Sequence, residues 1–311
     1  MATIGVRAFE GYNFGGNANF PAVVSIGARA FANAKCSNLG LGKAETVGGE
    51  AFRDMDGSIT ADFTKVTSFG TPYEWFGSNV LKDVFTGVTG TINASLGDMA
   101  SGVYQANGVS VFSGYTGTLN ASFASGGTIA PYAFYGYAGS LTGDFSNVVS
   151  IGDCAFQYFS GTFIGEMDLK SAVSVGVSAF SNFTGKIKGE FPNLETVGET
   201  AFWDCLALPE TVEFPKIQVI GAGAFSGTPI RNATFGPELR TLGEFIFDTT
   251  EGSLSEVHFQ GTIPPYLYPI SWHWLGGNYQ PTTAIYVPQA AFDAYQQAWG
   301  DAPWWNLVST E

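Results

Sequence analysis

Carboxylates recur at one position of a repeated strand-like segment, and paired carboxylates are groups that could carry out acid–base chemistry. Apolar and polar residues mostly alternate along these segments, which is the period of a half-buried strand. The residue before each inward-facing apolar residue should therefore face solvent. In chain order these outward residues are Asp62, Ser122, Asp144, Glu166, Glu190, Glu213, Thr234 and His258.

Four consecutive carboxylates, from Asp144 to Glu213, would lie on adjacent strands in this arrangement. Two carboxylates cleave a glycosidic bond when they flank it at a defined separation and their pKa values differ. On an open strand face nothing raises one pKa above the other, so a solvated polar face is the favoured interpretation. The functions left open for this face are weak cation binding and recognition of a basic partner surface. The candidate binding residues are Asp144, Glu166, Lys188, Glu190 and Glu213.

Other motifs that resemble chemical sites are incomplete. Residues 54–57, Asp-Met-Asp-Gly, resemble the start of a calcium loop, but Asp62 supplies neither the third oxygen ligand nor the closing Glu. The two histidines, His258 and His273, lie outside any Gly-x-Ser-x-Gly motif and away from a candidate cysteine nucleophile. We therefore predict no catalytic residue and no enzyme activity.

The three cysteines, Cys36, Cys154 and Cys205, form no Cys-x-x-Cys pair and no disulfide framework. Cys154 lies within one recurring Gly-Phe motif and Cys205 just after another, and both positions favour small buried core residues. The sequence accordingly predicts neither a metal site nor a cofactor.

Aromatic side chains cluster at two places that break the repeat pattern. One is an insertion that contains Tyr73 and Trp75, and the other lies near the end of the chain and contains Trp272 and Trp274. Insertions in a solenoid map to loops on one face, often the binding face. Exposed aromatic rings could also stack on sugars, although filling the core or capping its end explains the same residues.

The chain is organised by a repeat that ends in Ile/Val-Gly-x-x-Ala-Phe. The closing phenylalanines Phe9, Phe31 and Phe52 are 22 and 21 residues apart, and those from Phe134 to Phe247 are 22 to 24 apart. A fixed period of this length is typical of a solenoid. The motif glycine is expected to provide either a positive φ or a close approach between coils.

Each unit is predicted to contain one short strand, a turn, the apolar Val/Ile-Gly step and a compact Ala-Phe turn. Successive strands should form a parallel ladder, with the phenylalanines stacked inside. Residues 291–299 have apolar residues at helical spacing, so a helical and aromatic cap is expected at the C-terminal end.

Composition limits the kind of partner. Hydrophobic residues make up 45% of the 311 residues and charged residues 13%, and the net charge is −14. This acidic balance argues against nucleic acid and anionic membranes as partners. No apolar run reaches the roughly 18 residues needed to span a bilayer, and residue 1 opens directly into a repeat without a signal peptide, so we expect a fragment of a longer protein.

The pattern resembles the BspA-like branch of leucine-rich repeat proteins, a family of bacterial surface proteins. The resemblance rests on the Ile-Gly-x-x-Ala-Phe steps, on Cys205, on residues 191–198 and on the close formed by Ile285–Pro288 with the segment 291–299. It covers nearly the whole chain. It implies a leucine-rich-repeat-like solenoid with a right-handed coil of α/β type and one short parallel strand per repeat of about 22 residues.

We accordingly predict a solenoid over residues 1–287, with irregular expanded repeats at about 64–122, and a capping segment over 288–311. The resemblance implies a non-catalytic adhesion module at the cell surface or outside the cell, with a protein ligand, such as a host or extracellular-matrix protein, bound by the sheet face or the irregular repeats. A carbohydrate-binding module and a structural stalk of a larger surface protein are the alternatives.

Overall fold

The computed structural model describes residues 2–66, 69, 84–96, 111–112, 114–123, 126–248, 254–267, 283–302 and 304–311. In these ranges the chain forms a parallel β-solenoid of about 12 coils that ends in a single short helix. The solenoid, the parallel strands and the helical, aromatic end all confirm the predicted fold class.

In the described ranges the predicted strands form three parallel sheets in succession along the molecule, of seven, two and five strands, and we call them together ladder A. Apolar residues alternate inward and polar residues outward along these strands because only one face of the ladder contacts the core. The strands of ladder A are Ala18–Phe20, Lys35–Lys43, Asp56–Phe63, Ile92–Leu96, Thr118–Phe123, Ser140–Asp144, Thr162–Phe163, Glu166–Met167, Lys186–Ile187, Thr211–Phe214, Asn232–Phe235, Glu256–Phe259, Ala284–Val287 and Val308–Thr310.

A second parallel ladder, ladder B, is formed by the Val/Ile-Gly steps, which the sequence had not indicated to be strands. Most of its strands contain only two residues, too few for a period of two to be recognised. Compact turns join the two ladders within each coil. The strands of ladder B are Ala2–Ile4, Val23–Ile26, Thr46–Val47, Thr128–Ile129, Ser150–Ile151, Ser174–Val175, Thr196–Val197, Val219–Ile220, Thr241–Leu242 and Tyr266–Leu267.

The closing phenylalanines stack as a continuous column inside the solenoid. Neighbouring rings lie nearly parallel, with centroids 4.9 to 5.8 Å apart from Phe9 to Phe247. Phe85 and Phe112 continue the column through the expanded repeats, where the sequence pattern had shown no copy of the motif. The core therefore runs unbroken through the part of the chain where the spacing is irregular.

The motif glycines allow close approach between coils. A Cβ on Gly198 would lie 2.6 Å from the carbonyl carbon of Gly176 in the preceding coil, and one on Gly48 would lie 2.3 Å from the amide nitrogen of Ala28. Neither glycine has a positive φ. Of the two expectations for the motif glycine, close approach is the one that the structure confirms.

Positive φ values occur instead at two turn positions that follow the glycine and the phenylalanine. The residue two after the glycine is left-handed in successive coils and is often large, with Arg29, Glu50, Thr200 and Phe245 among them; Tyr132, two after Ala130 at the same place in its coil, is left-handed too. This conformation costs a non-glycine residue roughly 1–2 kcal/mol. The residue two after the phenylalanine is also left-handed and is Gly, Asn or Asp in every described coil but one: Gly11, Asn33, Asp54, Gly87, Gly114, Gly136, Tyr158, Asn182, Asp204 and Gly227.

The C-terminal end of the core is covered by the helix Phe292–Trp299, preceded by the 3-10 turn Gln289–Ala291 and followed by the turn Trp305–Leu307. Tyr295, Trp299 and Trp304 are buried, and the Trp299 ring contacts Phe259 edge to face at 5.3 Å. The Tyr295 hydroxyl donates a hydrogen bond to the Gly261 carbonyl at 3.1 Å. These contacts close the apolar column, as the amphipathic spacing predicted.

Candidate recognition surface

The outward face of ladder A carries the predicted charged residues. Asp144, Glu166, Lys188, Glu190 and Glu213 are all exposed, at or beside strands that form successive rungs of the ladder. The inward neighbours Met167, Phe191 and Phe214 are buried. The alternation of the sequence was therefore sufficient to predict which side chains face solvent.

The register of ladder A differs from the predicted carboxylate column at one point. Asp62, Ser95, Ser122 and Asp144 do pair in succession, and Glu190 bridges to Glu213. Glu166, however, pairs with Lys186. Gly165, whose φ is 103°, separates the strand Thr162–Phe163, which pairs with the preceding coil, from the strand Glu166–Met167, which pairs with the following coil.

This break in register opens a groove on the strand face. It has a volume of about 630 Å³ and is lined by Gly161–Phe163, Gly165, Glu166 and Thr184–Lys186. The neighbouring Ile164 is 52% exposed and adds an apolar side chain to this otherwise polar face. A recess, an exposed apolar side chain and the lysine Lys186 thus occur together beside Glu166.

Charged side chains of both signs lie at this groove and beyond it. Glu166 and Lys186 line the groove, and Asp168, Lys188, Glu190 and Glu213 lie further along ladder A; we call these six residues the charged strand patch. The Lys188 ammonium lies 3.3 Å from the Glu190 carboxylate and 3.8 Å from that of Asp168. The hydrogen bond and charge of Glu190 raise the pKa of Lys188. Within the described residues, Glu166 and Glu213 form no ion pair, so their carboxylates are open to an external cation.

Asp144 has a structural role that the sequence interpretation missed. Its Oδ1 accepts a hydrogen bond from the Ser146 amide at 2.9 Å, and the Ser146 hydroxyl and amide lower the pKa of Asp144. Asp62 makes the same turn with Thr64, whose hydroxyl and amide lie 2.6 and 2.9 Å from Oδ1. The signal was present as Asp-Phe-Ser/Thr, because Asp commonly bonds the backbone two residues on.

Removing one of these turn carboxylates should give a pH-dependent loss of stability. Hydrogen bonds from Thr64 lower the pKa of Asp62, so its contribution is present above the unfolded-state pKa of about 3.9 and is lost as pH falls through the lower folded-state pKa. We expect Asp62→Ala to lower the free energy of unfolding at pH 7 by about 0.5–1 kcal/mol. Urea unfolding should show the difference in unfolding free energy between the parent and Asp62→Ala disappearing below about pH 3.9.

The matched control is Glu238→Ala, which removes an exposed carboxylate from a turn. It should leave stability within about 0.5 kcal/mol of the parent at every pH. If the difference in unfolding free energy between the parent and Asp62→Ala stays constant down to pH 2, the proposed role of the ionised carboxylate is contradicted.

His258 lies at the C-terminal end of the same face, in a cluster that the sequence did not indicate. Its Nδ1 is 2.9 Å from a carboxylate oxygen of Glu311, and its ring stacks on Tyr286 at 4.5 Å. Its Nε2 is 3.5 Å from the Glu256 carboxylate. Glu311 is distant in sequence and is brought there only because the strand Val308–Thr310 pairs with Ala284–Val287.

Cys205 is buried, as predicted, and so is Cys36, whereas Cys154 is only half-buried and occupies the left-handed turn position, with a φ of 55°. Burial raises the pKa of all three thiols, that of Cys205 to about 12. The calcium-like segment behaves as a structural turn. Asp56 accepts a hydrogen bond from the Thr89 hydroxyl at 2.9 Å, and Asp54 pairs with Arg53 at 3.3 Å. Among the described residues, no three His, Cys, Asp or Glu side chains are grouped so that they could hold a metal ion.

Four of the predicted binding residues, Tyr73, Trp75, Trp272 and Trp274, lie outside the described residues, as does His273. None of the helices in the described ranges has the length and apolar character needed to cross a membrane.

Comparison with known proteins identifies the repeat. The family model for the BspA-type leucine-rich repeat region matches residues 1–86 and 150–266, in six copies. These ranges contain the Gly-Phe motifs recognised in the sequence, apart from the copy that ends at Phe134. No curated protein matches the chain.

Proposed function

The chain belongs to the BspA-type leucine-rich repeat family, and we propose that it is a non-catalytic recognition module that binds a basic protein surface through the charged strand patch. Its family suggests a repeat module for protein interaction and is typically surface-associated. We further propose that it acts at the cell surface or outside the cell. Labelling of intact cells by an antibody against the solenoid would test this location, and labelling only after permeabilisation would contradict it.

The observation that carries the proposed function is a pair of exposed carboxylates without an ion-pair partner among the described residues: Glu166, which lines the groove, and Glu213, two coils further along ladder A. Strand pairing fixes their backbone, so less conformational entropy is lost when a partner binds. Lys186 and Lys188 alternate with the acidic side chains and would restrict which basic surfaces fit.

The charge distribution of the chain favours a basic partner. From residue 189 to residue 311 there are 14 Asp and Glu against three Lys and Arg. This part of the chain therefore produces a negative potential that attracts cationic surfaces. Exposed charges at the edge of an interface act mainly on association rate and salt dependence.

The test is surface plasmon resonance of the purified protein against extracellular-matrix proteins, each in native and lysine-acetylated form. We expect binding to at least one native protein, to be lost on acetylation. The variant with Glu166→Gln, Glu190→Gln and Glu213→Gln should bind about tenfold more weakly, because each exposed charge contributes about 0.2–1 kcal/mol.

A control of similar net-charge change is Glu199→Gln with Glu238→Gln and Glu244→Gln, three substitutions at turns away from the strand face. It should retain parental affinity if the patch itself is recognised. Equal weakening by both variants would mean that net charge alone is sensed, and binding that survives acetylation would contradict the proposal.

A further inference from the structure

Three tyrosines form a cluster on the turn surface that the charged strand patch does not use. Tyr132 and Tyr135 lie in one coil with ring centroids 5.6 Å apart, and Tyr158 in the next coil meets Tyr135 edge to face at 5.8 Å. Tyr158 is 52% exposed. We call Tyr132, Tyr135 and Tyr158 the tyrosine cluster.

The backbone under this cluster departs from the pattern of the repeat. Tyr158 has a φ of 56°, at the turn position where the other described coils have Gly, Asn or Asp. Tyr132 is left-handed as well, with a φ of 62°, but it lies at the turn position that is left-handed in every described coil, so only Tyr158 departs from the pattern. A large exposed side chain in a conformation that favours glycine or asparagine carries a conformational cost, and such outliers concentrate at functional sites.

The surroundings of the cluster carry little charge. Residues 99–143, 154–165 and 171–185 contain no Asp, Glu, Lys or Arg. The closest acidic side chain along the turn, Asp153, is engaged because its Oδ1 accepts a hydrogen bond from the Val177 amide at 2.8 Å. Neutral polar residues neighbour Tyr158 instead: Gln157 and Ser160 are close to it in sequence, and Asn182 occupies the same turn position in the next coil.

This combination fits one ligand chemistry. A sugar ring presents an apolar C–H face and a rim of neutral hydroxyls, so it needs an exposed aromatic face next to neutral donors and acceptors. The tyrosine cluster offers both, and tyrosine in particular joins an apolar ring to a polar hydroxyl. A charged ligand would lose its hydration here without gaining an opposite charge.

We propose that the tyrosine cluster is a binding site for a neutral carbohydrate, separate from the charged strand patch. Tyr158 supplies the exposed ring face, Tyr135 supports it edge to face, and the amides and hydroxyls around Gln157 and Asn182 bond the sugar hydroxyls. The site spans two adjacent coils, about 4.8 Å apart, so it fits consecutive sugars of a chain.

The test is affinity electrophoresis of the full chain in gels that contain one soluble polysaccharide each. Neutral glucan, mannan, galactan and xyloglucan are the probes, with alginate as the charged comparison. We expect retardation by at least one neutral polysaccharide and none by alginate. Tyr158→Asn should lower the affinity measured from the retardation about tenfold or more. Its melting temperature should be unchanged or higher, because Asn adopts the left-handed conformation readily.

Two further variants separate a binding role from a structural one. Tyr158→Phe keeps the ring and should keep most of the retardation, and Tyr266→Asn removes a tyrosine of similar exposure, 55%, at a distant coil and should change nothing. Equal retardation of the parent protein and Tyr158→Asn would overturn the proposal, as would no retardation by any neutral polysaccharide. Concentration-dependent dimerisation that Tyr158→Asn abolishes would assign the cluster to a second copy of this chain instead.

Discussion

Phe180→Ala is expected to lower the free energy of unfolding by about 3–5 kcal/mol. The Phe180 ring is fully buried and lies between the stacked rings of Phe156 and Phe202, at 5.1 and 5.3 Å. Phe183 closes a third side edge to face at 5.4 Å. Alanine would leave a cavity that the neighbouring coils cannot fill, because their spacing is fixed by the two strand ladders.

Urea unfolding followed by circular dichroism would measure this loss, with Glu190→Ala as the exposed control. Glu190 lies on the outer face, so its removal should change stability by less than about 0.5 kcal/mol. Phe9→Ala should cost less stability than Phe180→Ala, since Phe9 is half-buried and stacks on only one ring of the column, Phe31. An unchanged transition for Phe180→Ala would show that the aromatic column does not hold adjacent coils together.

The sequence was sufficient to predict this column because every coil meets the same packing requirement at the same position. Phe85 and Phe112 escaped recognition for two reasons. Each follows Val instead of Ala, and the spacings from Phe52 to Phe85 and on to Phe112 are 33 and 27 residues. The glycine two residues after each of them, Gly87 and Gly114, was the remaining signal, because the turn there needs a left-handed residue.

The candidate sites were less predictable, since they depend on contacts between coils. The pairing of Glu166 with Lys186 results from the positive φ of Gly165, and periodicity alone cannot show a positive φ. The tyrosine cluster likewise combines residues from two coils at turn positions that differ in each repeat. Regular positions of the repeat thus give the fold, whereas binding sites arise where one coil departs from its neighbours.

The motif glycines provide the second large expected effect. Gly198 has an ordinary backbone conformation, so alanine would be acceptable there if space allowed. A Cβ at this position would lie 2.6 Å from both the Gly176 carbonyl carbon and the Val177 amide nitrogen, and 2.9 Å from the Gly176 oxygen. Backbone atoms held by the parallel ladder cannot move aside as a flexible side chain would, so the coils must separate or tilt.

We therefore expect Gly198→Ala to lower the free energy of unfolding by about 3 kcal/mol, at the upper end of what overpacking costs. Gly5→Ala is the matched control, because Gly5 is the same motif glycine in the first coil and a Cβ there would meet nothing within 4 Å. The Gly5→Ala variant should be as stable as the parent, or more stable by up to about 1 kcal/mol, since alanine restricts the unfolded chain. Thermal unfolding of both variants distinguishes the two causes. Equal losses of stability in both variants would mean that the glycine is needed for its backbone conformation. A loss in Gly198→Ala alone would mean that the glycine is needed for the close contact between coils.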